Sequence, residues 1–220
     1  MVENSGFESV AFVSLLVFIE IIERQNKIMS KNIMIVGVGG QGTLLASKIL
    51  GKAAMDSGLD VKVSEVHGMS QRGGSVVTYV RFGEEVYSPV ICKGDADVIL
   101  SFELLEAARW LPHLKNGGTI VTSTQQINPM PVITGAAKYP EEIISDMKTM
   151  AIDIRPYDAQ AIAEEAGNVR ASNVALIGLA ADVLGFDENV LRDAVAACVP
   201  AKALEVNMKA FDLGRAKAGK

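Results

Sequence analysis

The stretch IMIVGVGGQGTLLASKIL, residues 33–50, decides the fold. It opens with four uninterrupted apolar residues closed by Gly37, which is the pattern of a strand buried on both faces of a sheet. More glycines follow up to Gly42, and apolar side chains then recur at the spacing of a helix as far as residue 57. A strand, a glycine turn and a helix in this order predict the beginning of an α/β domain.

The alternation of strands and helices continues to the end of the chain. Further strand-like segments lie at residues 61–66, 75–82, 97–101, 119–124 and 150–154. Further helical segments lie at residues 103–111, 141–148, 158–166, 173–184, 188–199 and 201–213. We therefore expect a Rossmann-like open, mainly parallel sheet with helices on both faces and a helical C-terminal segment. An apolar run at residues 86–91 adds the option of a hairpin with residues 75–82.

The beginning of the chain differs from the rest. Residues 10–22 read VAFVSLLVFIEII, which contains Glu20 and is shorter than the roughly 20 apolar residues of a transmembrane helix. Acidic residues precede this run and basic residues follow it, which is the reverse of a secretory signal peptide. Met29 stands just before the first strand. We expect translation to begin there, with residues 1–28 a leader or extension outside the fold and residues 29–220 a single domain.

The composition excludes several classes of protein. The 220 residues carry 21 Lys and Arg against 26 Asp and Glu, for a formal net charge of −5. This balance argues against binding of nucleic acid or an anionic membrane, because both need clustered positive charge. The two cysteines are too few for the four thiolates of an iron–sulfur cluster, and with only two histidines a metal site is unsupported. We expect a cytoplasmic protein that holds no metal itself.

A glycine turn at the end of the first strand is the first candidate binding site. It reads GVGGQG and contains Gly37, Gly39, Gly40, Gln41 and Gly42. Backbone N–H groups at a helix N-terminus point outward with the positive end of the helix dipole, and glycines let an anion approach. The sequence therefore predicts binding of a diphosphate, with Gln41 as a further donor. The alternative is that these glycines only allow a tight turn and close packing of helix and strand.

A second glycine-rich loop, HGMSQRGG, follows the second strand. Both strands end at the same edge of a parallel sheet, so this loop should face the first one. A guanidinium between glycines can bind a phosphate or carboxylate bidentately, and the alternative is a surface arginine paired with a neighbouring acid. The candidate binding residues of this loop are His67, Ser70, Gln71, Arg72, Gly73 and Gly74.

Glu65 makes a nicotinamide-dependent dehydrogenase an alternative function for this chain. A nicotinamide-binding fold places an acidic residue at the end of its second strand to hold the ribose hydroxyls, and Glu65 stands roughly there. The chain has no GxSxG elbow, phosphate-loop lysine motif, HExxH motif or thiamine diphosphate motif. No pair of nucleophile and base can be assembled, so we assign no catalytic residue.

Three motifs in this order resemble one family. GVGGQG, EVHGMSQRGGSV at residues 65–76 and EVNMKAFDLG at residues 205–214 are similar to the gamma-type subunits of 2-oxoacid:ferredoxin oxidoreductases. The resemblance covers residues 29–214 and is nearest to the branch that acts on indolepyruvate, in which this subunit is called beta. It implies a subunit that packs beside a large alpha subunit, in a heterodimeric unit, and is not active alone.

The resemblance also implies the reaction and the cofactors. The complex would decarboxylate an aryl 2-oxoacid with thiamine diphosphate and magnesium, pass electrons through iron–sulfur clusters to ferredoxin, and yield an aryl-acetyl-CoA. The alpha subunit would carry thiamine diphosphate and the clusters. The residues of the two glycine-rich loops would lie at the interface near the active site or coenzyme A. A non-catalytic scaffold of the same fold is a further alternative.

Overall fold

The computed structural model describes residues 30–67 and 74–218. The expected leader at residues 1–28 and most of the second glycine-rich loop, residues 68–73, lie outside the described residues.

Strands and helices alternate through the described chain, as the sequence predicts. The strands are β1 (Lys31–Val38), β2 (Asp60–His67), β3 (Ser75–Gly83), β4 (Ala96–Ser101), β5 (Leu114–Ser123) and β6 (Asp153–Tyr157). The helices are α1 (Thr43–Asp56), α2 (Leu104–Trp110), α3 (Met130–Ile133), α4 (Ile143–Thr149), α5 (Ala159–Ala166), α6 (Ser172–Leu184), α7 (Glu188–Cys198) and α8 (Leu204–Lys217). Short 3-10 turns lie at Leu111–His113, Val169–Ala171 and Ala201–Ala203.

The six strands form one sheet in the order β2-β3-β1-β4-β5-β6. Parallel pairs join β1 to β4, β4 to β5 and β5 to β6, whereas β3 is antiparallel to both β1 and β2. The predicted Rossmann-like, mainly parallel α/β sheet is therefore confirmed. The unexpected feature is the place of β3, which separates β1 from β2.

Helices cover both faces of the sheet. Ile33 and Ile35 of β1 pack with α1, α5, α6, α7 and α8 on one face. Met34 and Val36 pack with α2 and α4 on the other face. All four side chains are completely buried. This two-sided burial explains why the strand is apolar at every position rather than at alternate positions.

Two segments that the sequence predicts as strands differ in the structure. Residues 86–91 form no strand; Val86 N–H instead donates to Asp60 Oδ2 at 2.9 Å, and Ile91 is buried in the core. The last strand begins at Asp153, later than expected, because the N–H groups of Met150 and Ile152 bond to the preceding turn at Met147 and Met150. These donors are therefore unavailable to the sheet.

The C-terminal helices cross at a pair of glycines. A Cβ atom added to Gly178 of α6 would lie 2.3 Å from Phe211 O of α8, and one added to Gly214 would lie 2.3 Å from Ala175 O. The two backbones are therefore in direct contact at both points. The small residues in this region allow close helix packing, because any side chain here would separate the helices.

We expect Gly178→Ala to lower the free energy of unfolding by about 2–3 kcal/mol, because the new methyl group overlaps a backbone carbonyl that cannot move alone. Gly51→Ala in α1 is the matched control, since its Cβ would meet only Val63 Cγ2 at 3.8 Å. Alanine is the better helix former, so the control should be neutral or slightly stabilising. Urea denaturation measures both variants, and equal effects would contradict the packing argument.

Candidate functional site

The candidate site lies at the carboxyl edge of the sheet, where β1 passes through the glycine turn into α1. Gly40 and Gly42 have φ angles of 103° and 87°, which favour glycine. Gly42 is also fixed by packing, because a Cβ atom there would lie 2.3 Å from Asn173 Nδ2 of α6. The turn thus has the shape that the motif predicts, and its last glycine is favoured by its positive φ angle and by the contact with α6.

The two glycine-rich loops touch each other. Gly39 N–H donates to Gly74 O at 3.0 Å, which joins the turn after β1 to the end of the loop before β3. β1 and β2 end at the same edge because both are antiparallel to β3. The expectation that the loops face each other is met at this point. Ser70, Gln71, Arg72 and Gly73 and the side chain of His67 lie outside the described residues, so their binding roles stay predictions.

The Gln41 side chain holds three strand ends together. Its Oε1 accepts from Val38 N at 2.7 Å, and its Nε2 donates to Phe102 O at 2.8 Å and to Gln125 Oε1 at 2.9 Å. These partners lie at the ends of β1, β4 and β5. Both amide hydrogens therefore have protein acceptors, so Gln41 can donate to a ligand only by releasing one of them.

The crevice beside Gln41 is almost filled. Its volume is about 10 Å³, and its lining is Gln41, Phe102, Ser123, Gln125, Ala159 and Ser172. A space of this size holds one water molecule at most. A phosphate group can enter the crevice only if the Gln41 side chain moves.

Buried carboxylates at the start of α2 form a second feature of this edge, which sequence reasoning missed. Glu103 caps the helix and is 1% exposed. Its carboxylate accepts from Glu106 N at 2.9 Å, Ile127 N at 3.0 Å and Tyr139 Oη at 2.6 Å. Burial of a charge is tolerated here because three donors replace water. The available signal was an acidic residue two positions after a buried strand, at the start of a predicted helix, but the partners of Glu103 are distant in sequence.

The surroundings of Tyr139 raise its pKa. Burial raises the pKa of Tyr139, and the hydrogen bond to Glu103 raises it further, since ionisation would place two negative charges side by side. The phenol also accepts from Leu105 N at 3.0 Å. Tyr139 therefore ties the segment after β5 to the beginning of α2.

Glu106 connects α2 to the second loop. Its carboxylate accepts hydrogen bonds from Ser75 Oγ and from Arg109 Nε, the latter at 3.0 Å. Ser75 is the residue directly after Gly74. The side chain of Glu106 is 5% exposed in this ion pair, whereas that of Arg109 is 49% exposed. The end of the second loop is thus held on one side by the glycine turn and on the other by α2.

Glu65 does not lie where a nicotinamide dehydrogenase would need it. The intervening strand β3 places β2 about 10 Å from β1, at two strand spacings. The Glu65 side chain turns toward α1, where Ser47 Oγ donates to its Oε1 at 3.2 Å. Adjacent first and second strands are what bring such a carboxylate to a bound ribose. The topology therefore disfavours the dehydrogenase alternative.

The described residues add two further facts. Between residues 30 and 67 and between 74 and 218, no group of three or more His, Cys, Asp or Glu side chains is placed to hold a metal ion. No helix in these same ranges is long and apolar enough to cross a membrane.

Comparison with known proteins gives a consistent result. Residues 32–217 match the profile of the family described as "Pyruvate ferredoxin/flavodoxin oxidoreductase". The chain is 47% identical over 190 residues to the indolepyruvate oxidoreductase subunit IorB of Pyrococcus horikoshii, covering 83% of this chain and 93% of the relative. It is 46% identical over the same length to that of Thermococcus kodakarensis, with the same coverage.

Solved structures show the same fold at lower identity. The gamma subunit of a keto/oxoacid ferredoxin oxidoreductase from Geobacter sulfurreducens superposes with a TM-score of 0.65 at 22% identity, covering 86% of this chain and 98% of that one. A chain of the 2-oxoglutarate:ferredoxin oxidoreductase from Magnetococcus marinus superposes with a TM-score of 0.64 at 22% identity. There the match covers 85% of this chain but 30% of the other.

We expect Gln41→Ala to lower the free energy of unfolding by about 2–3 kcal/mol, because it leaves Val38 N–H without its acceptor and removes two further hydrogen bonds. Gln125→Ala is the matched control, since it removes only one of the three bonds and should cost about 1 kcal/mol. Urea denaturation gives the energies, and amide hydrogen exchange at Val38 gives the local effect. Equal losses, with unchanged exchange at Val38, would refute the assignment.

We expect the pKa of Tyr139 to lie well above the usual value of about 10. The raised pKa favours the neutral phenol in the folded state, so its contribution to stability is complete below the unfolded pKa and is lost as the pH rises through the folded pKa. Tyrosinate absorbance of the wild type minus that of Tyr139→Phe isolates this group. Glu103→Gln should move the pKa part of the way back. A difference curve with an ordinary midpoint would contradict the geometry.

Proposed function

The chain belongs to the pyruvate ferredoxin/flavodoxin oxidoreductase family, and we propose that it is the beta, gamma-type subunit of an indolepyruvate ferredoxin oxidoreductase. The observation that carries the proposal is 46–47% identity to indolepyruvate oxidoreductase subunits over 83% of the chain. In this proposal the complex converts an aryl 2-oxoacid and coenzyme A to an aryl-acetyl-CoA and carbon dioxide, while ferredoxin takes up the electrons.

This chain works as part of a larger complex. Its relatives are named as subunits, and in the Magnetococcus enzyme the same fold occupies 30% of a longer chain. A fold that occurs both as a separate subunit and as part of a longer chain is expected to meet the same neighbours in both arrangements. The proposed neighbour is a large alpha subunit.

We assign the redox cofactors to the alpha subunit. The chain contains two cysteines, Cys92 and Cys198, and a cluster usually needs four thiolates. Thiamine diphosphate, when bound with magnesium on the alpha subunit, would supply the decarboxylation chemistry. The task that we propose for this chain is to shape the surface beside it.

The carboxyl edge is the surface that we propose faces the alpha subunit and coenzyme A. The contact between Gly39 and Gly74 and the hydrogen bond between Ser75 and Glu106 hold the ends of both loops in one place. Arg72 stands between these two loop ends in the sequence, and a guanidinium suits a phosphate or carboxylate. A binding role of Arg72 at this edge is part of the proposal.

Reconstitution tests the proposal. The chain is co-expressed with a candidate large subunit from the same organism that carries thiamine diphosphate and iron–sulfur cluster motifs, and the purified complex is assayed for CoA-dependent reduction of ferredoxin with indolepyruvate, phenylpyruvate, pyruvate and 2-oxoglutarate. We expect a stable complex that prefers the aryl substrates, with no activity in either subunit alone. Failure to form a complex, or full activity of the large subunit alone, would refute the subunit assignment. Preference for pyruvate would refute only the substrate.

A substitution in the same complex tests whether this chain contributes to the coenzyme A site or acts only as a scaffold. Arg72→Ala is expected to lower kcat/KM for coenzyme A at least about tenfold, the value of one charge-assisted hydrogen bond. Arg192→Ala, which removes an exposed arginine of α7 paired with Asp212 of α8, is the matched control and should leave the rate unchanged. An unaltered rate in the Arg72 variant would instead favour a scaffold.

A further inference from the structure

The segment that follows β5 presents apolar side chains to solvent. Residues 124–137, TQQINPMPVITGAA, contain no Asp, Glu, Lys, Arg or His. Met130 and Ile133, three residues apart in α3, are each 64% exposed. Exposed apolar side chains on an uncharged segment are typical of the core of a protein interface, where methionine is enriched and charged residues are depleted.

One buried carboxylate fixes both ends of this segment. Glu103 accepts from Ile127 N at 3.0 Å and from Tyr139 Oη at 2.6 Å, so residues 128–138 form a loop whose two ends meet at one side chain. Glu103 is 1% exposed and needs these donors in place of water. The loop therefore cannot detach from the sheet edge without leaving a buried charge short of its donors.

The tip of the loop is ordered by its own backbone. Ile133 N donates to Pro129 O at 3.0 Å, and Thr134 N donates to Met130 O at 2.9 Å. Pro129 and Pro131 also restrict the backbone, because the proline ring fixes φ. A tip that is fixed in advance loses little conformational entropy when another protein binds to it.

The loop begins beside the glycine turn. Gln125 Oε1 accepts from Gln41 Nε2 at 2.9 Å, and Gln125 O accepts from Leu104 N at 2.9 Å. The segment thus leaves the sheet at the carboxyl edge, where both glycine-rich loops also end. Its apolar tip is continuous with the surface that we propose faces the large subunit.

We infer that Met130 and Ile133 form an apolar anchor that packs against an uncharged, apolar surface of the large subunit. This inference rests on the proposed function, which supplies the partner. The anchor adds a contact that the two glycine-rich loops do not provide, because those loops offer polar and backbone groups whereas this one offers apolar side chains.

The groove between α1 and β2 is a poorer candidate for the same contact. It measures about 540 Å³ and includes Met55, which is 58% exposed. Its lining also contains Lys48, Lys52 and Glu65, and Lys52 is paired with Asp56. A partner that covered the groove would have to remove charges of both signs from water, which is costly unless each is paired again.

Methionine oxidation tests the inference without any substitution. Hydrogen peroxide is applied to the isolated chain and to its complex with the large subunit, and peptide mass spectrometry follows the oxidation of three methionines. Met130 reports on the loop and Met55 on the groove. Met150, which is 48% exposed, stands just before β6 at the opposite edge of the sheet. We expect the complex to slow oxidation of Met130 at least about tenfold and to leave Met55 and Met150 unchanged.

Substitution tests the same contact through affinity. The double variant Met130→Glu with Ile133→Glu is expected to weaken binding of the large subunit at least about tenfold, because two carboxylates would be buried without partners. Met150→Glu is the matched control and should bind as the wild type does. These side chains are all exposed in the isolated chain, so an unchanged midpoint of urea denaturation shows that the fold is intact.

The remaining outcomes overturn the inference. Protection of Met55 instead of Met130 identifies the groove as the covered surface. Protection of Met130 that grows with the concentration of the isolated chain identifies a second copy as the partner. Equal binding by the double variant and its control shows that the loop lies outside the interface. A stable complex in which Met130 stays fully reactive refutes this inference alone, whereas the absence of any complex refutes the proposed function and the inference with it.

Discussion

The two-sided burial of β1 is the constraint on which the rest of the structure depends. Its four central side chains, residues 33–36, have no exposure to water, so helices must cover the sheet on both sides of this strand. The chain can meet that requirement only by crossing from one face to the other after successive strands. The glycine turn is the first of these crossings. The glycine turn lies at the carboxyl edge of the sheet because β1 ends there. The loops that follow the strands parallel to β1 lie at the same edge.

The carboxyl edge is held together by polar side chains rather than left open. Gln41 joins the ends of β1, β4 and β5, and Glu103 and Glu106 join the start of α2 to Tyr139 and Ser75. The crevice that a Rossmann-like fold offers at this place is reduced to about 10 Å³. This edge is therefore closely packed beside Gln41, with little enclosed space.

Local patterns predicted most of the secondary structure, and the failures have a common cause. The α/β class and the mainly parallel sheet could both be predicted from spacing and residue type. The position of β3 between β1 and β2 could not be predicted, because an antiparallel strand with alternating residues can pair with either side of either strand. Glu103 was missed for a similar reason. Its partners Ile127 and Tyr139 come from a loop 24 and 36 residues further along the chain.

The sequence by itself determined the elements and the motifs: a buried first strand, a glycine turn that opens a helix, a second glycine-rich loop, and too few cysteines for a cluster. These follow from local rules of backbone conformation, periodicity and ligand count. Only the tertiary structure decided what those motifs touch. It placed β3 between β1 and β2 and so carried Glu65 away from the glycine turn, and it turned Gln41 inward to bind three strand ends. Such decisions depend on which distant donors and acceptors can be satisfied at once when the sheet closes, and no local pattern contains that information.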